Sequence, residues 1–176
     1  HKEYRRQRQM CIRDRAKAAE ADFVRVNQWA NAYVANEGFM EGKAGAASRY
    51  RSWLRAQGVA IFADVHVKHG AHAIVADRSL EELTRDAAFF DADAVIVTGQ
   101  RTGDSASLDD LSTVARSTTL PVLVGSGVNP SNVGAIFGYA DAVIVASACK
   151  YEGGWWNMVD PARLKLFMDA VRETRG

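Results

Sequence analysis

Five short runs rich in valine and isoleucine recur along the chain, each followed by a stretch with helix signals. The runs are Phe23 to Asn27, Ala60 to Lys68, Ala94 to Gly99, Val122 to Gly125 and Ala142 to Ala146. Near-continuous apolar runs of this length read as strands buried on both faces. Ser79-Leu80-Glu81-Glu82 is a capping box that opens a helix to about Phe90. Ser107 with Asp109 and Asp110 opens another to about Ser117, and Asp160-Pro161 opens the last, to about Glu173. Strand alternating with helix predicts a parallel sheet with right-handed crossovers.

A doubly wound sheet and part of a barrel both satisfy that pattern. No Gly-x-Gly-x-x-Gly turn follows an early strand, and polar residues gather at the C-terminal ends of several strands, where barrel sites lie. The prediction is therefore a (β/α)8 TIM-type barrel, here a C-terminal partial barrel of about five parallel strands. With 176 residues the chain is short of the roughly 250 that a whole barrel needs.

Chemistry-bearing residues fall on the same strand ends. Alternation from Asp64 onward puts Asp64, His66 and Lys68 on one face and Val65 and Val67 on the other. If the valines pack under helices, the three ionisable groups look into the barrel, where an unpaired charge is costly. They are the candidate catalytic residues. Asp64 is a general base or metal holder, His66 a proton shuttle near neutral pH, and Lys68 a partner for a substrate anion or a Schiff-base former. A solvated edge strand or a purely structural ion pair would show the same pattern. Arg25, Asn27 and Thr98 alternate inward on the flanking strands as substrate-positioning groups. Arg101, in the polar loop after Thr98, can fork onto a carboxylate or phosphate.

Pro121 to Pro130 runs from a strand through Gly125-Ser126-Gly127 to Asn129-Pro130, an N-cap with proline in the first helical position. Glycines let backbone amides approach an anion, and the loops after the last two barrel strands commonly hold phosphate. Gly125, Ser126, Gly127 and Ser147 are the candidate phosphate-binding residues; the glycines also serve a tight turn with no ligand. Trp29, Tyr33, Tyr50 and Trp53 read as core. Trp155 and Trp156 read as a plug on the side of the fold or a cover over the site.

Composition adds bounds. At 48% hydrophobic and 24% charged, the chain is an ordinary globular composition. Cys11 and Cys149 have no ligand spacing, which suggests neither a disulfide framework nor a zinc site, and no metal site or cofactor is assigned from the sequence. No apolar run approaches the roughly 20 residues of a membrane span and no signal-peptide pattern opens the chain, so a cytoplasmic protein is expected. Residues 1–15 hold six Lys/Arg against two acids. Met10 to Arg15 reads like an assembly scar, so residues 1–15 are expected to be a non-native or disordered head and 16–176 the domain. That leaves no basis for a nucleic-acid partner.

Phe62-Ala63-Asp64-Val65-His66-Val67-Lys68-His69, Val97-Thr98-Gly99, Val122 to Val128, and Lys150-Tyr151-Glu152-Gly153-Gly154 through Asn157 to Asp160 resemble the BtpA/SgcQ family of (β/α)8 barrel proteins. The resemblance extends from about Ala18 to the end. It departs at Ala146, where a glycine is expected, and at Cys149, where an aliphatic residue is expected. It implies a chain that begins near the fourth barrel strand; the sheet edges so left open are expected to associate, or to make a homo-oligomer. It further implies a small phosphorylated metabolite as partner, with lyase, isomerase or hydrolase chemistry on a sugar phosphate or related compound. The alternative it carries is a non-catalytic factor in photosystem I biogenesis.

Overall fold

A computed structural model describes residues 14–67, 70–99 and 104–176. After a helical stretch over 14–18, the chain runs β1 (Phe23–Val26), β2 (Ala32–Ala35), β3 (Gly38–Glu41), α1 (Ala44–Trp53), β4 (Ala60–Val65), α2 (Leu80–Phe89) and β5 (Ala94–Val97). It continues through α3 (Leu108–Ser117), β6 (Val122–Gly125), α4 (Val133–Phe137), β7 (Ala142–Ile144) and α5 (Pro161–Arg175).

Five strands form one sheet in the order β1-β4-β5-β6-β7, every pair parallel. Apart from the β2–β3 hairpin, each sheet strand therefore lies beside the next one in sequence. That is the connectivity of a curled half-barrel, and it agrees with the expected partial barrel as far as the five strands go.

The two faces of the sheet pack differently. Val24, Ile61, Ala63, Val65, Val95, Val97, Val122 and Val124 face the helices and join Leu83, Leu111, Val114, Val133, Ile136 and Phe167 in the main core. Ala94, Ile96 and Leu123 form a second cluster on the opposite, inner face, flanked by Phe62, Ala142 and Ile144. Phe23 stacks on Phe62 at 4.4 Å and stays half exposed at the β1 edge. Valines thus go to the helix side and polar positions to the inner side, as the alternation of the sequence requires.

The capping signals act as expected. The Ser79 hydroxyl accepts from the Glu82 amide, Ser107 from Asp109 and Asp110, and Asp160 from Ala162 and Arg163. The Asn129-Pro130 signal does not open a helix. Asn129 Oδ1 instead accepts from the Ser131 amide in an Asx turn, and α4 begins at Val133 with Asn132 before it.

Other boundaries move too. The strand expected over Ala60 to Lys68 ends at Val65, because His66 takes a left-handed φ of 53° that no strand continues through. Lys68 lies outside the described residues, as do Arg101 and Cys11. The β2–β3 hairpin and α1 occupy a stretch in which no element was expected. Trp29 and Tyr33 are core, whereas Trp53 is 74% exposed on the last turn of α1. Trp155 and Trp156 are likewise exposed, paired edge to face at 5.5 Å, so they plug nothing in this chain.

Candidate functional site

The inner face carries its charged groups at the C-terminal ends of β1 and β4. Arg25 is the third residue of β1 and pairs in register with Phe62, so its side chain starts on the inner face. Its Nε donates to Asp64 Oδ1 at 2.8 Å and its Nη2 to Oδ2 at 2.9 Å, a fork on fork. The Asp64 side chain is fully buried and that of Arg25 one-third exposed. A buried carboxylate with both oxygens engaged is held as an anion, and a guanidinium held at two nitrogens is fixed in direction.

From Asp64 the guanidinium reaches over β5 to β6. A Cβ on Gly125 would stand 3.2 Å from Arg25 Nη2, 3.4 Å from Nη1 and 3.0 Å from Ile96 Cγ2. The missing side chain at Gly125 is therefore space that Arg25 and Ile96 use. Thr98 is the next inward residue of β5 after Ile96. Val97 pairs with Val124, which puts Thr98 level with Gly125. Its hydroxyl is buried and has no hydrogen-bond partner. A buried donor without a partner is uncommon and marks a place for a missing one.

Gly127 serves a different neighbour. With φ 68° and a would-be Cβ 2.3 Å from the Asp104 carbonyl and the Ser105 amide nitrogen, it lets the loop before α3 lie against the β6 turn. Gly99 does the same from the other side, 2.2 Å from the Asp104 oxygen. Asn132 ties the two loops, its Nδ2 donating to Gly127 O and Ser105 Oγ. Ser126 holds a φ of 115°, a strained position for serine. Ser147 opens a single 3-10 turn after β7 and is half buried. Asn27 is exposed just past β1.

His66 caps the end of β4. Its ring stacks on His72 at 4.0 Å, and His72 stacks on Tyr33 of β2 at 5.4 Å. His72 Nε2 donates to the Val67 carbonyl at 2.8 Å. Val34 and Ala71 exchange both backbone hydrogen bonds, which fixes the hairpin on the loop after β4. Desolvation, followed by the charge of His72, lowers the His66 imidazole below its ordinary value, with Asp110 opposing. Burial, then Glu37 and Asp64, raises the Tyr33 phenol.

A cavity of about 30 Å³ opens between these groups, lined by Gln28, Asn31, Asp64, His66 and His72 among others. It has room for a water or two and none for a metabolite. The loop that lines it is pinned to α2, with Asn31 on Asp86 and Trp29 Nε1 on the Phe90 carbonyl. His72 and Asn31 were not singled out from the sequence; the only trace of His72 is its place two residues past Gly70, in the loop after a polar strand end. Among the described residues no cluster of three metal-binding side chains occurs, and no helix is long and apolar enough to cross a membrane.

The arrangement thus brings together Arg25, Asp64, Thr98 and Gly125, with His66 beside them. Residues 7–173 match the profile of the BtpA family. The chain belongs to the BtpA family. A Synechocystis relative described as a photosystem I biogenesis protein, BtpA, is 35% identical over 90% of this chain and 55% of its own length. An uncharacterised, mitochondrial protein of Caenorhabditis elegans is 43% identical over 85% of this chain and 54% of its own. An uncharacterised Archaeoglobus fulgidus protein is 41% identical over 89% and 60%. This BtpA-family chain spans little more than half the length of those relatives. Among solved structures, thiamine phosphate pyrophosphorylase from Pyrococcus furiosus is similar at a TM-score of 0.62 and 20% identity, over 93% of this chain and 66% of that one. At such identity the likeness is one of fold.

Proposed function

We propose that this BtpA-family chain supplies the larger part of a phosphate-ligand-binding barrel of enzymatic type, acting on a phosphorylated sugar or related metabolite. The observation that carries the reading is the Arg25–Asp64 fork at the C-terminal end of the sheet, a fixed cation on the face where barrel enzymes bind their substrates. Two further points support it. The fold resembles a protein whose name puts a phosphorylated compound in its reaction. The part of the Archaeoglobus relative outside the match, on the order of 100 residues, equals about three βα units of ~30 residues each. Added to five strands, these make eight.

In this reading Arg25 holds the ligand anion and Asp64 holds Arg25. His66, kept neutral near pH 7, accepts and returns a proton, and Lys68 adds a second cation. Asn27, Thr98 and Arg101 position the ligand, while Gly125, Ser126, Gly127 and Ser147 shape the turns beside it.

A panel of sugar and nucleoside phosphates, each beside its unphosphorylated counterpart, tests the reading by thermal shift on this chain and on the Archaeoglobus relative. A phosphorylated member should raise the melting temperature where its counterpart does not. Equal effects of the two, or none from any member on either protein, overturns the reading. A second reading, an assembly factor without catalysis, is favoured by the name of the Synechocystis relative. It predicts that Asp64→Asn leaves complex assembly intact in cells and that no metabolite accumulates.

A further inference from the structure

We infer that the anion seat of this molecule is the inner face at Arg25, Thr98 and Gly125, with the Thr98 hydroxyl as its second donor, and that the seat takes an oxyanion of the ligand. The inference rests on the proposal that the mouth binds a phosphorylated ligand, and it moves the anion from the glycine turn after β6 to the middle of the sheet.

Three independent features converge there. Asp64 engages Nε and one Nη2 hydrogen of Arg25, which leaves the Nη1 pair and the second Nη2 hydrogen, and both nitrogens lie beside Gly125. Gly125 is the inner residue of β6 at this level, and its lack of a Cβ is what lets the guanidinium lie over β6 beside Ile96. Thr98, level with Gly125 on the adjoining strand, holds a buried hydroxyl that bonds to nothing. Sealing an unpaired hydroxyl away from water costs free energy that a valine of the same shape would not. Its presence on the face that also carries a fixed guanidinium is accounted for by a ligand atom that accepts from both. The apolar floor of Ile96 and Leu123 keeps water from one side of that atom, which strengthens both bonds.

The glycine turn is less suited to the same task. The space at Gly127 is filled by the Asp104–Ser105 backbone, and Asn132 already donates to its carbonyl. What the two glycines at 99 and 127 accommodate is a neighbouring loop.

The test uses the full chain, with inorganic phosphate and acetate as probes, followed by calorimetry and by phosphorus NMR line width. Thr98→Val keeps the shape and removes the donor. The paired change Arg25→Met with Asp64→Leu removes both charges together, so that neither is left buried alone. The expected result is phosphate binding that weakens about tenfold in Thr98→Val and vanishes in the paired variant. The melting temperature of unliganded Thr98→Val should equal or exceed that of the parent. Phosphate binding unchanged in both variants overturns the seat while the phosphate reading stands. Acetate binding that depends on both sites, without phosphate binding, sustains the seat and removes the phosphorylated ligand. Absence of binding by either probe at millimolar concentration overturns both.

Discussion

The contact that organises the site at the scale of single residues is the fork of Arg25 on Asp64, which crosses from β1 to β4. Arg25, Asp64 and Thr98 were legible as inward groups because alternation along a strand is a local rule. The bidentate pairing was not, since Arg25 and Asp64 are 39 residues apart and meet only through the β1–β4 register. Gly127 was legible as a glycine turn; the loop that leans on it was not. Gly127→Ala is accordingly a folding variant: a left-handed φ and a Cβ 2.3 Å from backbone should cost about 2–4 kcal/mol in urea denaturation. A cost below about 0.5 kcal/mol would show that the loop before α3 does not pack there.

His66 gives a pH signature. Its folded-state value lies below that of the unfolded chain, so the unfolded state binds the proton first. Its contribution is therefore present above the ordinary imidazole value of about 6.5 and is lost as pH falls from there through the folded value. Melting temperature should drop between pH 7.5 and 5.5, and His66→Phe should shrink that drop. An unchanged drop assigns the pH dependence to other groups.

Among the elements, helix starts were the most legible because a cap is written in three or four adjacent residues, as at Ser79, Ser107 and Asp160. The hairpin was hidden. Ala32–Ala35 has one valine and Gly38–Glu41 none, so neither looks like the valine-rich runs around it, although Asn36-Glu37-Gly38 is a turn signal with Gly38 at φ 103°. The strands also differ in cover. β5 and β6 are buried along their whole length, β7 is half buried throughout, and β1 has one buried residue in four. Native-state amide exchange should follow that order, with β1 and β7 exchanging at least tenfold faster than β5. Uniform protection across all five strands would mean that the edges are covered in solution.

For the molecule as a whole, both edges of the main sheet, at β1 and at β7, have no strand beside them among the described residues. Exposed apolar side chains accompany them, with Phe23 at one edge and the Trp155–Trp156 pair in the loop after the other. Open edges of this kind are templates for pairing, and a second copy is the expected occupant. Sizing chromatography with light scattering should show a mass that rises with concentration, and Phe23→Lys should lower it. A single mass of one chain at every concentration would show that the edges do not associate. The parallel α/β sheet was legible in the alternation of strand and helix, whereas the state of the edges depends on partners that no local pattern records.

Because each strand of the main sheet lies beside the one made just before it, the order of the sheet is also the order of synthesis. A chain leaving the ribosome can add each βα unit to a finished neighbour, and no early strand waits for a distant one. The same arithmetic lets such a sheet grow or be divided between units without rethreading, so a stretch of five strands keeps its own pairing even when other strands are supplied from elsewhere.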